Sequence, residues 1–150
     1  MRLPMNTSQL YDKDFYAWTV KMATALKNKA ISKLDLEHLA EELEGMSARE
    51  LREIRSRLIV LIMHLLKWEY QPLKQSNSWK STIFQQRFEL QDLLAQSPSL
   101  KNKFQNELEN IRVYKKAVID ASLETGFPQS NFPTDLPYSP DQLLDDNFYP

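Results

Sequence analysis

The most pointed candidate for chemistry is His64, the only titratable side chain in the apolar stretch from Leu58 to Leu66. An imidazole in such surroundings can act as a general base, because its neighbours shift its pKa. That role would require a carboxylate such as Glu41 or Glu42 to fix the ring's tautomer. Arg87 is a further candidate for this catalytic set. The alternative is a partly buried histidine bonded to a carbonyl or carboxylate, and we favour this structural interpretation.

A second candidate is the run of acidic side chains around His38. His38 and Glu41 lie one helical turn apart, but the known di-iron bundles use Glu-x-x-His on two helices with two further carboxylates. The order here is reversed and the chain contains two histidines, so we expect no di-iron centre and no cofactor. An oxygen-ligand Mg²⁺ or Ca²⁺ site is a weaker alternative. A solvated helix face, favoured by the helix dipole, explains most of the cluster: Asp35, Glu37, Glu41, Glu42 and Glu44.

The strongest basic feature is a group of four arginines: Arg49, Arg52, Arg55 and Arg57. Such a stripe would suit a nucleic acid or another anion, with a surface that extends to Lys67, Lys74 and Lys80. Glu50 and Glu53 interrupt the stripe, however, and Glu53 is four residues from an arginine on either side, a spacing that stabilises a helix. Surface ion pairing is the favoured interpretation, and we expect no nucleic-acid partner.

The segment from Trp68 to Trp79 is the best candidate for a binding site. Lys74, Ser78 and Lys80 lie near the predicted start of a helix, where free backbone amides attract anions. The alternative is purely structural: Ser78 caps the helix, and bulky side chains pack the corner between two helices. We favour this alternative, in which the packing residues are Trp68, Pro72, Leu73 and Trp79.

Glycine and cysteine usage excludes several classes of protein. The 150 residues include two glycines, Gly45 and Gly126, and no cysteine. A Walker loop, a dinucleotide fingerprint and a nucleophile elbow need glycines at spacings that these two cannot provide. Disulfide, thiolate and zinc-knuckle chemistry needs cysteine. Nineteen basic and twenty acidic side chains give a net charge of -1, so no overall field favours nucleic acid or an acidic membrane.

The hydropathy pattern predicts a soluble protein. The longest apolar run is LIVLIM at 58–63, far shorter than the ~20 residues of a membrane span. The amino-terminal MRLPMNTS has one arginine and no apolar stretch after it, unlike a secretory signal. We therefore expect a cytoplasmic location and no membrane partner.

The elements that must position these residues are helical. Apolar spacing predicts an all-α bundle of five helices around a central third helix, which is apolar on all sides from Leu58 to Leu66. The predicted boundaries come from caps and breakers: to about Asn28, from Asp35 to Gly45, from Ser47 to about Pro72, from Asn77 or Ser78, and from Ser97–Pro98 to Gly126. The predicted core residues include Phe15, Trp18, Leu61, Leu65, Trp68 and Trp79.

We expect one domain over residues 1–150, with residues 1–9 disordered. The segment 127–150 contains five prolines, a composition typical of a linker. It also contains too many apolar anchors for a solvated tail: Phe127, Phe132, Tyr138, Leu143, Leu144, Phe148 and Tyr149. We predict that it docks as an extended strap on the bundle, with one short helix after Ser139 and Pro140.

Several segments match one family in order and spacing: DFYAW (14–18) after Tyr11, LDLEHLAEELE (34–44), SRL (56–58), HLLKWEYQP (64–72), SWKSTIFQQR (78–87), SPSL (97–100), ET (124–125), and FP followed by PYSPDQLLDD (137–146). On these segments the chain resembles, nearly from end to end, domain of unknown function family twenty-nine, a bacterial family common in cyanobacteria. The resemblance implies an all-helical bundle and no established activity. The chain differs from the family pattern at His38, where asparagine is frequent, and at Lys74 and Gln75, where arginine is frequent.

Three hypotheses for function follow. The favoured one is a non-enzymatic helical protein that acts by contact with another protein or as a homo-oligomer, because 16 residues are aromatic and no catalytic set converges. The second is a hydrolase or nuclease-like enzyme that uses His64 with Glu41 or Glu42 and Arg87. The third is weak nucleic-acid or anion binding through the basic side chains: Arg49, Arg52, Lys67, Lys74 and Lys80.

Overall fold

The computed structural model describes residues 5–150, and its regular structure is entirely helical. Helical turns include 78% of these residues, with no strand among them, which confirms the all-α fold class. The described α-helices are α1 (Thr7–Lys13), α2 (Phe15–Lys27), α3 (Leu36–Tyr70), α4 (Asn77–Gln96), α5 (Leu100–Glu109), α6 (Ile111–Thr125) and α7 (Pro140–Leu144). No helix in this part of the chain is long and apolar enough to cross a bilayer.

Two helix boundaries differ from the sequence prediction. The predicted second and third helices form one helix, α3, which continues through Gly45. An interior glycine costs a helix only about 1 kcal/mol, and the hydroxyl of Ser47 bonds back to the Leu43 carbonyl (3.3 Å) instead of capping a new helix. The predicted fifth helix is divided at Asn110, whose extended backbone ends α5 and whose side chain accepts a bond from the Arg112 amide (3.1 Å) at the start of α6.

The contacts divide the chain into two compact units, one up to Arg49 and one over Glu50–Pro150, where the sequence predicted a single domain. In the amino-terminal unit, Asn6 caps α1 in a capping box with Gln9. Helix α1 therefore begins inside the segment predicted to be disordered (1–9), of which residues 1–4 lie outside the described residues. Asp14 ends α1 and also caps α2 by accepting from the Ala17 amide (3.0 Å).

Helix α2 is amphipathic in the amino-terminal unit, with Trp18, Met22 and Ala25 buried. Phe15, which we predicted to be a core residue, is 48% exposed. It lies at the first position of α2 and stacks on the Trp18 ring (5.7 Å between centroids). Phe15 therefore lines the edge of the unit's aromatic cluster.

The core of the carboxy-terminal unit forms around the second half of α3. Fully buried side chains of that helix include Ile54, Leu58, Leu61, Ile62, Leu65 and Leu66. The side chains that surround them come from α4, α5, α6 and α7: Ile83, Leu90, Phe104, Ala117, Ala121 and Leu143. Trp68 and Trp79, also predicted for the core, are only half-buried. Trp68 packs against the border of the apolar cluster, and the Trp79 ring lies 4.5 Å from the ammonium nitrogen of Lys67.

Residues after Gly126 lie against the carboxy-terminal unit. Gly126 ends α6 in the left-handed region (φ 76°), a conformation that favours glycine. Tyr114 donates from its hydroxyl to the Pro133 carbonyl (2.6 Å), and Tyr138 donates to the Glu69 carboxylate (2.7 Å). Phe132 and Tyr138 are buried, so the proline-rich segment contributes both apolar contacts and hydrogen bonds to this unit.

A matched pair of leucines tests this core. Leu61 is 0% exposed and Leu73 is 101% exposed. We expect Leu61→Ala to lower the free energy of unfolding by about 2–5 kcal/mol through lost burial and the cavity left behind. Leu73→Ala should change it by less than about 0.5 kcal/mol. Urea unfolding followed by circular dichroism measures both, and equal losses would contradict the assignment of the core.

Candidate functional site

The most connected polar group in the amino-terminal unit is the Asp35 carboxylate, which lies just before α3. We call this residue and its neighbours the Asp35 cluster, comprising Tyr11, Trp18, Asp35, His38 and Glu42. Oδ2 of Asp35 accepts from the Trp18 indole nitrogen (3.2 Å) and lies 2.7 Å from Nδ1 of His38. Oδ1 accepts from the His38 amide (3.4 Å), as the side chain of a helix cap does.

The local backbone brings Asp35 to this place. After α2, the chain turns through Lys29 at a positive φ of 55° and a 3-10 turn at Ile31–Lys33. The Asp35 amide then reaches the sulfur of Met22 (3.3 Å). Because Met22 and Trp18 lie on the buried face of α2, these contacts attach the start of α3 to that face.

The aromatic side of the cluster joins α1 to α3. The Tyr11 ring stacks on the His38 ring, with centroids 3.9 Å apart and planes inclined by 14°. The Tyr11 hydroxyl donates to Oε1 of Glu42 (2.5 Å). The Trp18 ring meets the Tyr11 ring edge-on, with centroids 4.9 Å apart. Three helices of the unit therefore meet in one set of polar and aromatic contacts.

These contacts shift the pKa values of the cluster. The hydrogen bond that the His38 ring donates to the Asp35 carboxylate raises the pKa of His38 above its ordinary value. Burial alone would raise the pKa of Asp35, but the hydrogen bonds from His38 and Trp18 outweigh burial and lower it. The hydrogen bond to Glu42, aided by burial, raises the pKa of Tyr11 to about 12. The cluster therefore favours an ionised Asp35 with a protonated His38.

The contacts of the Asp35 cluster indicate a role in positioning side chains and helices. An aspartate that holds one imidazole nitrogen can orient a general base, but the groups that contact the His38 ring are a carboxylate and the rings of Tyr11 and Trp18. Within residues 5–150, no group of three or more His, Cys, Asp or Glu side chains is arranged to hold a metal ion. The contacts instead fix the three helices against one another.

The sequence analysis treated His38 and the acidic cluster only as possible metal ligands and did not pair Asp35 with His38. The available signal was the three-residue spacing at the start of a helix, where an aspartate caps the helix and its carboxylate reaches the residue three positions on. The partners Tyr11 and Trp18 are distant in sequence, and no local pattern identifies them.

His64 lies in the carboxy-terminal unit, half-buried on α3. Its Nδ1 is 2.8 Å from the Val60 carbonyl, so this nitrogen carries the proton and donates. Burial lowers the pKa of His64, and the nearby charge of Lys67 acts in the same direction. Of its proposed catalytic partners, Glu42 accepts from Tyr11, and Glu41 is exposed. The contacts support a structural histidine, and nothing in them supports the hydrolase hypothesis.

Arg87, the third member of that hypothesis, is fully buried. Its guanidinium donates to the Leu143 carbonyl from Nε (2.9 Å) and to the Gln142 carbonyl from Nη2 (3.2 Å). One turn along α4, the amide of Gln91 donates to the Leu144 carbonyl (2.8 Å). The Leu143 and Leu144 carbonyls lie at the end of α7, where carbonyls lack partners within a helix, whereas the Gln142 carbonyl also accepts from the Asp145 amide (3.3 Å). Arg87 therefore caps α7 and holds it on α4.

The predicted anion site around Trp68–Trp79 has a different arrangement. Ser76 caps α4 by accepting from the Trp79 amide (3.2 Å), in place of the predicted Asn77 or Ser78. Lys67 is buried, ion-paired with Glu124 and placed 4.5 Å from the centre of the Trp79 ring. Lys80 lies 5.7 Å from the Tyr149 ring, while Lys74 and Ser78 are exposed. Within the described residues, the predicted site residues Lys74, Ser78 and Lys80 have no contact in common. The acidic side chain of Asp146 lines the same recess as Lys80.

Two of the four arginines in the stripe are paired with acids. Arg55 makes a two-point contact with Glu107 (2.9 and 3.0 Å). Arg57 pairs with Glu53 (2.9 Å) and approaches Glu89 (3.7 Å). The other two arginines, Arg49 and Arg52, are exposed. Half of the positive charge of the stripe is therefore neutralised by neighbouring carboxylates, which weakens its attraction for a nucleic acid.

Comparison with known families identifies one match. The family model described as Domain of unknown function DUF29 matches residues 10–149, and the chain belongs to this family. No curated protein and no solved structure matches the chain. The match includes every residue of the Asp35 cluster and the contacts of Arg87 with α7.

The pKa values of the two histidines should lie on opposite sides of 6.5. We expect the pKa of His38 above this value and that of His64 below it. His38 should therefore stabilise the fold below pH 6.5, and this stabilisation is lost as pH rises through its folded pKa. The His64 contribution is present above pH 6.5 and is lost as pH falls through its folded pKa.

Heteronuclear NMR of the two imidazole rings measures both values. In the test variant Asp35→Asn, the His38 pKa should fall towards 6.5. The His64 pKa should stay unchanged and serves as the internal control. Equal pKa values in the wild-type protein, or a His38 pKa that Asp35→Asn does not move, would contradict the proposed pairing.

Arg87→Met should loosen α7. The substitution leaves the Leu143 carbonyl without its side-chain donor and removes one of the two donors to the Gln142 carbonyl, which costs about 1–3 kcal/mol. We expect the amides of Leu143 and Phe148, which bond to Ser139 and Asp145, to exchange with deuterium roughly tenfold faster or more. Arg112→Met, at an exposed arginine of α6, is the matched control. Unchanged exchange in both variants would show that Arg87 does not hold α7.

Proposed function

We propose that this chain is a non-enzymatic, cytoplasmic protein-interaction module and that its amino-terminal unit makes the contact. The observation that supports this proposal is the distribution of exposed large apolar side chains. Nine of fourteen belong to the unit that ends at Arg49, although that unit is the smaller one. They are Met5, Phe15, Tyr16, Val20, Leu26, Ile31, Leu36, Leu43 and Met46.

The exposed apolar side chains of α2 and α3 form faces of these helices. Tyr16 and Val20 lie one turn apart on α2, on the side opposite the buried Trp18. Leu36 and Leu43 lie two turns apart on α3 and are each 63% exposed. Large exposed apolar patches on a soluble domain are typical of protein contact surfaces. Aromatic residues and methionine are typical of the centres of such surfaces.

The polar groups of the chain support contact over catalysis. The Asp35 cluster encloses its histidine between aromatic rings and a carboxylate, and the His64 ring is bonded to a backbone carbonyl. Two of the four arginines in the basic stripe are paired with acids. An enzyme needs a base and a reacting group directed at substrate, whereas these groups are directed at the fold.

Two leucine variants test the proposal. Leu43 lies in the amino-terminal unit (63% exposed), and Leu123 is a leucine of the other unit that is somewhat more exposed (78%). Leu43→Glu should reduce capture of the partner from native cell extract at least about tenfold, because charge is depleted at interface centres. Leu123→Glu should leave capture unchanged.

Both substitutions are at the surface, so each should change the free energy of unfolding by less than about 0.5 kcal/mol. Quantitative mass spectrometry of proteins retained on the immobilised variants gives the readout. Equal capture by Leu43→Glu and the wild-type protein would exclude this face of the unit as the contact surface.

A further inference from the structure

We infer that the partner of the amino-terminal unit is a second copy of this chain, with α2 of each copy packed on the first part of α3 of the other. This inference rests on the proposed function, since it assigns an occupant to the same apolar faces. It is carried by a separation of charge between the two helices and by the position of their exposed apolar residues.

Charge is segregated along the amino-terminal unit. Residues 15–34 contain four lysines and no acidic side chain, whereas residues 35–48 contain five acidic side chains and no lysine or arginine. The division falls between α2 and α3, because the only residues between the two helices are 28–35. Helix α2 therefore contains lysines and no acidic side chain, and the first three turns of α3 contain acidic side chains and no lysine or arginine.

The free face of α2 is apolar with lysines on it and beside it. Tyr16, Val20, Ala23 and Lys27 follow each other at helical spacing, and all four are exposed. The Tyr16 side chain is 79% exposed and that of Val20 is 49% exposed. The opposite face is already occupied by contacts within the unit, so this face is free to contact another molecule.

The free face of α3 is apolar with acids beside it. Leu36, Ala40 and Leu43 lie on one line along the helix and are exposed. Glu37 directly follows Leu36, and Glu44 directly follows Leu43. Both glutamates are also exposed. The α3 face therefore matches the α2 face in its apolar line and opposes it in charge.

Complementarity of charge decides how two copies would meet. Two α3 faces together would bring acids against acids, and two α2 faces would bring lysines against lysines, which disfavours either pairing. When α2 of each copy packs on α3 of the other, both contacts join opposite charges. The two contacts are then related by a two-fold axis, and the assembly closes as a dimer.

The Asp35 cluster makes this geometry reproducible. It joins α2 to the start of α3 through the Trp18 and His38 bonds to one carboxylate. Both contact faces are thus presented at a fixed angle in every copy. A rigid pair of faces loses little conformational freedom on association, which favours binding.

Analytical ultracentrifugation from about 1 µM to about 500 µM, a range that detects contacts of millimolar to micromolar affinity, tests the inference. The wild-type protein and Leu123→Glu should dimerise with rising concentration, and Leu43→Glu should remain monomeric. Reversal of charge on α2 (Lys21→Glu with Lys27→Glu) or on α3 (Glu37→Lys with Glu44→Lys) should abolish self-association. An equimolar mixture of the two reversed proteins should dimerise, and so should the chain that carries all four substitutions.

Hydrogen exchange of the wild-type protein gives a second readout that needs no variant. Raising its concentration across the same range should slow exchange in residues 16–27 and 36–46. Slowing confined to other segments would overturn the inference. A wild-type protein that stays monomeric, that forms open assemblies larger than a dimer, or whose dimer ignores both charge reversals would also overturn it.

The two proposals fail in distinguishable ways. A monomeric wild-type protein that still captures a different protein through Leu43 would overturn the second-copy inference and leave the interaction module in place. A monomeric protein that captures nothing in a Leu43-dependent manner would overturn both.

Discussion

The amino-terminal unit depends on one desolvated carboxylate. Asp35 is withdrawn from water, and its oxygens are satisfied by an indole, an imidazole and a backbone amide. A buried carboxylate without such donors would be costly, so the cost is offset only when α2 and α3 meet at this angle. The buried core of the unit is small, with Trp18, Met22 and Ala25 as its buried apolar residues. Polar geometry therefore defines a unit that apolar burial alone would hold loosely.

The two units differ in their surfaces. In the carboxy-terminal unit, several buried or half-buried polar groups are bonded within the unit, including the hydroxyls of Tyr114 and Tyr138 and the ammonium of Lys67. In the amino-terminal unit, α2 and α3 leave apolar side chains in water. Large exposed apolar patches are typical of contact surfaces. The exposed apolar side chains are thus concentrated in the unit that buries the smaller apolar core.

Sequence reasoning succeeded where the determining interaction was local. The end of α6 at Gly126 follows from one residue's backbone freedom, and the His64 bond to Val60 spans four residues. It failed at Gly45 and Ser47, where two stop signals lie inside α3, because continuous packing on both sides outweighs a cost of about 1 kcal/mol. It also could not find the bond between Tyr11 and Glu42, which are 31 residues apart. Only the fold brings those two side chains together.

The cap that Arg87 provides for α7 has a consequence for the nascent chain. The guanidinium and its two carbonyl partners are separated by 55 and 56 residues. At about 5–20 residues per second of synthesis, the ribosome needs about 3–11 s to make that stretch. During this interval the guanidinium of Arg87 is without the two carbonyls that it bonds in the finished fold.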